Sequence, residues 1–382
     1  MTAADAMKPS ARMPGGALPA DERDLPDEVR QWLGHVVIVE EGAYDVAPGL
    51  IETFCAAVED GNPLYRSTPE AQRISAGRIA PPAMLAVWAR PALWAGSTDR
   101  PISGEPVNRP ATSAGFPPQR RPLELHFRLK EIFRLPKAVV IDSAAEYYEP
   151  VRPGDRLHAE QMLDEVEAPS ENRLGKGRRW TVGIRYRRRD GVLVGSERLR
   201  FFAYDTDVGG SAAEIRREAT PAPGGEELPP LSIAITARHV IMGAAASCDW
   251  QPQHHDHRYA VDQARLRGII LNTPSQSGWL SRYLTDWSGP EGRIARLRLR
   301  MVQPICPGDV MQISGNVDGV ETANAGWRWL RLRLRIRVAQ EINTDGAAII
   351  AVPGASGLRP WEASAKEWSP PDWNLRSLAV PE

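Results

Sequence analysis

Along "RWLRLRLRIRV", Leu330, Leu332, Leu334, Ile336 and Val338 alternate with Arg331, Arg333, Arg335 and Arg337. A period of two puts the apolar set on one face of a strand and the arginines on the other. Similar alternation runs through "LELHFRLKEI" (123–132), "RLRLRMVQPI" (296–305) and "WTVGIRYRRRDGVLV" (180–194). These patterns predict antiparallel strands with one buried face. The Asp-Gly steps in "RRDG" (188–191) and "NTDG" (343–346) are read as hairpin turns. Two other stretches predict one buried helix in each half of the chain. The first is "PPAMLAVWARPALW", beginning at Pro81; the second is "TPSQSGWLSRYLTDW", with Thr273 as N-cap and Pro274 at the first helical position.

The landmarks repeat in order. "EDGNPLYRS" (59–67) and "SCDWQPQHHD" (247–256) both read Asp-x-(Asn or Gln)-Pro, and "VRPGDRL" (151–157) is matched by "ICPGDVM" (305–311). Each Pro-Gly-Asp lies between alternating segments, so the chain reads as two copies of one α+β fold. A Gly-, Pro- and charge-rich stretch at 205–230 is read as the linker, between a first half at 26–204 and a second at 231–355. Residues 1–25 read as a tail, 96–122 as a long polar loop, and 356–382 as a C-terminal extension.

Composition narrows the function. The chain has 382 residues, 42% apolar and 25% charged, with a formal net charge of -1. That balance argues against nucleic acid as partner. The arginine stripe reads either as a wall for phosphates or as a solvated sheet face, and the acids elsewhere in the chain favour the second. Cys55, Cys248 and Cys306 form no CxxC, which fits a reducing cytoplasm and neither a disulfide framework nor a zinc ribbon. No window approaches eighteen apolar residues, and the N-terminus has no secretory h-region, so no membrane association is expected.

Three of the seven histidines crowd into "HHDH" (254–257). Neighbouring positions point in different directions and no distant ligand is evident, so no metal is expected there. Asp249 and His254, across a proline-kinked loop, can face a common space and share a water and a proton. On residues alone, a catalytic pair and a hydrogen-bonded polar loop both stand.

"SCDWQPQHHD" resembles the signature of the MaoC-like (R)-specific enoyl-CoA hydratases, Ser-Gly-Asp-x-Asn-Pro-x-His-x-Asp. Ser247, Asp249, Pro252, His254 and Asp256 match; Cys248 stands for Gly and Gln251 for Asn. "PICPGD" is similar to the family's strand junction, and Leu271-Asn272 stands where the family has His-Gly. In the first half, "EDGNPLY" and "IAPPAML" resemble the N-terminal domain of two-hot-dog members. The resemblance implies a double hot-dog, each half a sheet wrapped around a long central helix. It also implies interconversion of trans-2-enoyl and (3R)-3-hydroxyacyl thioesters, with Asp249 and His254 catalytic and no cofactor. Asn272 would offer its N–H to the thioester carbonyl, with Ser247 and Gln251 as further substrate-binding residues. The substrate would be a coenzyme A or acyl carrier protein thioester, and a homodimer is the expected assembly. The alternatives are a non-catalytic acyl-thioester binder and a hot-dog thioesterase. In the first half Asp60 is kept, but Tyr65 stands where the histidine is expected, so that copy is expected to lack chemistry. Its Pro81, Pro82, Met84, Leu85, Trp88 and Trp94 are then read either as filling for the core of the first half, the reading expected for most of them, or as a pocket for the acyl tail.

Overall fold

In the computed structural model, residues 24–92, 122–172, 174–205, 225–355 and 358–373 are described. The expected tail up to residue 23, the loop from 96 to 121, Trp94, most of the linker and the last residues of the extension lie outside them; Leu25, at the end of the expected tail, is buried in the core. The alternating segments form one antiparallel sheet of 11 strands. The first half supplies β1 (Val36–Glu41), β2 (Lys137–Tyr147), β3 (Leu157–Val166), the short β4 (Ser170–Asn172), β5 (Gly175–Arg188) and β6 (Leu193–Asp205). The second supplies β7 (Glu227–Ala234), β8 (Arg293–Met301), β9 (Val310–Thr322), β10 (Arg328–Val338) and β11 (Glu341–Val352). Strand β7 thus begins inside the stretch read as linker.

The strand order is β1-β3-β5-β6-β2-β8-β11-β10-β9-β7, so the second half retraces the first outward from the β2–β8 seam. That seam runs from Asp142 opposite Arg300 to Glu146 opposite Arg296. Across it Arg298 Nε donates to Asp142 Oδ1 at 3.2 Å, and Arg296 pairs with Glu146 at 3.3 Å.

Four helices are used below: α1 (Pro48–Ala57), α2 (Glu124–Ile132), α3 (Ala237–Ala246) and α4 (Thr273–Ser288). The sheet wraps α4 as the hot-dog expectation requires. Trp279, Leu280 and Leu284 of α4 and Leu332, Leu334 and Ile336 of β10 are all 0% exposed. Burying a leucine-sized side chain stabilises by about 1.5 to 3 kcal/mol, so this layer is a main source of stability. Helix α1 meets α4 at Gly278, where a Cβ would stand 2.8 Å from Phe54. On the outer face the arginines are not freely solvated. Arg331 and Arg333 pair with Asp318 at 2.8 and 3.8 Å, Arg335 with Asp345 at 3.7 Å, and Arg337 bonds Ser314. Beside them the extension seats Trp368 against Trp327 and Trp329.

The structure corrects several local expectations. "LELHFRLKEI" is helix α2, because its buried residues Leu125 and Leu129 are one helical turn apart and pack on one side. The first half's predicted helix is a 3-10 turn over Pro82–Ala89, bracketed by Pro81 and Pro91. "NTDG" lies inside β11; the β10–β11 turn is made by Ala339 and Gln340, both left-handed at φ 49° and 72°. The N-cap of α4 is Asn272 rather than Thr273, since its side chain accepts the Ser275 N–H at 3.0 Å.

The duplication extends to individual hydrogen bonds. Asp60 N–H donates to Cys55 O and Asp249 N–H to Ala244 O, both at 2.8 Å. Ile79 N–H reaches Leu64 O at 3.0 Å, as Ile270 reaches Gln253 O at 3.1 Å. Ala80 N–H bonds Val151 O at 2.8 Å, as Leu271 bonds Ile305 O at 3.0 Å. These pairs make Tyr65 the counterpart of His254, and Pro81 the counterpart of Asn272.

Candidate active site

Asp249 is presented by the way α3 ends. Cys248 N–H donates to Ala245 O at 3.0 Å and Asp249 N–H to Ala244 O at 2.8 Å, the paired bonds of a Schellman cap. Such a cap needs a left-handed residue, here Cys248 at φ 51°. The position favours glycine, which is the residue in the family signature. The chain then turns through Pro252–His254, a 3-10 turn that brings His254 back over Asp249.

The pair is close and nearly closed to water. His254 Nε2 lies 3.7 Å from Asp249 Oδ2, with the side chains 8% and 15% exposed. His254 Nδ1 lies 2.8 Å from the Ile270 carbonyl, which only accepts, so Nδ1 carries the proton. In the neutral ring Nε2 is left as a base facing the carboxylate. Gln253 Nε2 stands 3.4 Å from the same atom.

Asn272 ties three elements together. Its Nδ2 donates to Asp249 Oδ2 at 3.0 Å and to Ser247 Oγ at 2.8 Å. Its Oδ1 accepts from Ser275 N–H and Ser275 Oγ at the start of α4. Gly243 permits this approach, since a Cβ there would lie 2.1 Å from Ser275 Oγ. The Asn272 backbone N–H has no partner among the described residues. Burial alone would raise the Asp249 pKa. The His254 imidazole, the Arg90 guanidinium, the Asn272 amide and the Gln251 N–H together outweigh it and hold the carboxyl below its ordinary range.

Of the residues singled out in the sequence, Asp249, His254, Asn272 and Gln251 are brought together. Gln251 contributes its backbone N–H to Asp249 Oδ1 at 3.4 Å. Ser247 is 0% exposed and donates to Gly243 O at 2.7 Å, so its hydroxyl holds Asn272 rather than facing an open space. His255 bonds the Trp250 carbonyl at 3.3 Å, outside the pair, and His257 is exposed. No group of three or more His, Cys, Asp or Glu side chains among the described residues could hold a metal ion. No helix among the described residues is long and apolar enough to cross a membrane.

Sequence reasoning missed Arg90, Gly243, Ser275 and the Ile270 carbonyl. Only the distance of Gly243 from any turn signal could have flagged one of them. The tail-pocket expectation is not met for Met84, which is 0% exposed. Leu85 and Trp88 do border a cleft with Ile79, Pro81, Pro82, Tyr147 and Trp361, but none of the Asp249 cluster lines it. Pro81, the counterpart of Asn272, lines it, but Asp60 and Tyr65 do not.

Comparison with known proteins gives the same fold. No family model matches the chain. A MaoC-like dehydratase from Phytophthora capsici superposes with a TM-score of 0.56 at 14% identity, over 86% of this chain and 99% of that one. A conserved hypothetical protein of Mycobacterium tuberculosis with a double hotdog fold gives 0.53 at 12%, over 82% and 95%. In sequence, the chain is 34% identical over 96 residues to the beta subunit of a 3-oxo-4,17-pregnadiene-20-carboxyl-CoA hydratase from Mycobacterium tuberculosis (strain ATCC 25618 / H37Rv). That match takes in 25% of this chain and 74% of the relative. With fold and sequence in agreement, the chain belongs to the MaoC-like hydratase and dehydratase family.

Proposed function

We propose that the protein adds water to a trans-2-enoyl thioester to give the (3R)-3-hydroxyacyl thioester, or runs the reverse. The observation that carries this reading is the facing of Asp249 Oδ2 and His254 Nε2 at 3.7 Å, with Nδ1 fixed on Ile270. One water held between a carboxylate and an unprotonated Nε2 has two acceptors for its hydrogens. Its oxygen adds to the β carbon, one of its protons passes to the pair, and a proton is returned to the α carbon. In the reverse direction the same groups take the α proton and protonate the departing hydroxyl. The Asn272 N–H, at the positive end of α4, polarises the thioester carbonyl and stabilises the enolate formed at the transition state. The curated relative is named as a CoA-thioester hydratase with a pregnadiene acyl group, which supports coenzyme A as carrier and a bulky acyl group.

The test is hydration of a trans-2-enoyl-CoA series from four carbons to long-chain and ring-bearing acyl groups. A (3R)-3-hydroxyacyl-CoA product and a higher kcat/KM for the larger substrates are expected. Release of free thiol in place of a hydroxyacyl thioester would assign a thioesterase, and tight binding without turnover would assign a binding protein.

A further inference from the structure

Arg90 stands on a fixed backbone. It ends the 3-10 turn Pro82–Ala89, donating its N–H to Val87 O at 3.3 Å, and its carbonyl accepts the Ala43 N–H at 2.9 Å. Pro91 follows. From this point in the first half the side chain crosses to the second, where Nη1 donates to the Cys248 carbonyl at 2.8 Å. That carbonyl belongs to the left-handed residue of the Schellman cap, directly before Asp249.

The charged and titratable groups facing Arg90 come from four elements. They are Glu40 on β1, Tyr186 on β5, Glu197 on β6, and Cys248 and Asp249 after α3. The two glutamates are engaged elsewhere. Glu197 accepts from Tyr186 Oη at 2.9 Å and Ser143 Oγ at 3.1 Å, and Glu40 accepts the Leu123 N–H at 3.4 Å. Arg90 forms no ion pair with a described residue. The opposite half carries the reversed arrangement. Arg282 of α4 donates to the Val58 carbonyl at 3.2 Å, but its guanidinium also lies 3.6 Å from Glu59 and 3.1 Å from Asp286. There the guanidinium is tied into close ion pairs with two carboxylates; Arg90 makes no such pair, and its charge acts on Asp249 together with Glu40 and Glu197.

We propose that Arg90 is a positioning residue for the catalytic pair of the other half, fixing the turn that presents Asp249 through the Cys248 carbonyl and placing a positive charge near that carboxylate. The inference rests on the reading of Asp249 as the carboxylate of a hydratase. It gives the first half a part in the chemistry proposed for the second.

The test compares Arg90→Met, Arg90→Lys and Asp249→Asn with the native protein by two readouts. One is hydration of trans-2-octenoyl-CoA. The other is the infrared titration of the Asp249 carboxylate, assigned by difference against Asp249→Asn and needing no substrate. Arg90→Met is expected to raise the Asp249 midpoint by about one pH unit and to lower kcat about tenfold, with KM within about threefold. Arg90→Lys, which keeps the charge, is expected to restore most of the midpoint. An unmoved midpoint in folded Arg90→Met, or a kcat within about twofold of native, overturns the inference. If Asp249→Asn keeps native kcat, the hydratase reading has failed, and the midpoint alone decides whether Arg90 acts on Asp249.

Discussion

Asp60 and Asp249 sit on the same turn and have opposite chemistry. Each follows a left-handed residue, Glu59 at φ 52° and Cys248 at φ 51°. Each accepts a backbone N–H two residues on, from Asn62 and Gln251. Burial pushes the Asp60 pKa up to about 6; Asp286 adds to that rise, and Arg282 and Arg66 only partly oppose it. Asp249 is held below its ordinary range by an imidazole, a guanidinium and an amide. The first half has Tyr65 in place of the imidazole and Pro81 in place of Asn272, so it lacks the base, the amide and the N–H together. The backbone frame is therefore common to both copies. What surrounds the carboxylate differs, and on the proposed function that difference assigns the proton chemistry to the second copy.

The largest expected effect breaks the comparison outright. Asp249→Asn and His254→Ala should each lower kcat roughly 100- to 10,000-fold with little change in melting temperature, as loss of a proton-transfer group does. Asp60→Asn and Tyr65→Phe should leave kcat within about twofold. Steady-state kinetics beside a thermal melt checks both, and equal losses from the two copies would end the claim that only one works.

A smaller effect reads the Asp60 environment directly. Its folded pKa of about 6 exceeds the ordinary 3.8, so the folded protein binds this proton more tightly than the unfolded chain. Below both values Asp60 costs nothing. The cost grows as pH rises between them and is constant above, reaching about 3 kcal/mol. Asp60→Asn keeps the acceptor for the Asn62 N–H and removes the charge. It should raise the unfolding free energy by about 3 kcal/mol near pH 7 and by only about half a kcal/mol near pH 4. Denaturant curves at both pH values provide the measurement.

The smallest effect concerns the left-handed residues. Cys248→Gly relieves a side chain in an unfavourable backbone region, and should stabilise by up to about 1 kcal/mol with kcat nearly native. Glu59→Gly relieves the same strain but removes the carboxylate that contacts His239 at 3.1 Å and Arg282 at 3.6 Å, so it should gain less. Paired melting curves sharpen the contrast; a larger gain at Glu59 would mean that those ion pairs contribute nothing.

Much of this was legible in the sequence where one physical rule acts alone. Period-two alternation located β10 and the β5–β6 hairpin, because one face of each strand is buried and the other is not. The Pro-Gly-Asp junctions exposed the duplication, since each aspartate bonds the N–H three residues earlier, Arg152 and Cys306, both at 2.8 Å. Asp249 and His254 could be picked out as candidates because they are close in sequence, but the residues alone left a catalytic pair and a polar loop both open. Legibility failed where two rules competed. Segment 123–132 satisfies both a strand and a helix pattern over ten residues, and tertiary packing chose the helix. The Ala339–Gln340 turn lacks the expected glycine, while a nearby Asp-Gly lies in a strand. Arg90 could not be found at all, since it is 158 positions from the carbonyl it holds.

The β2–β8 seam has a consequence for assembly. It pairs only five residues on each strand, with Arg296 and Arg298 facing Glu146 and Asp142 across it. As separate chains, two halves would have to find each other at cellular concentration, and a free second half could pair β8 with another second half and so lose Arg90. Covalent linkage holds the correct partner at an effective concentration on the order of millimolar. One chain thereby fixes a one-to-one ratio of the two halves in every molecule made, without any need to balance the synthesis of two subunits.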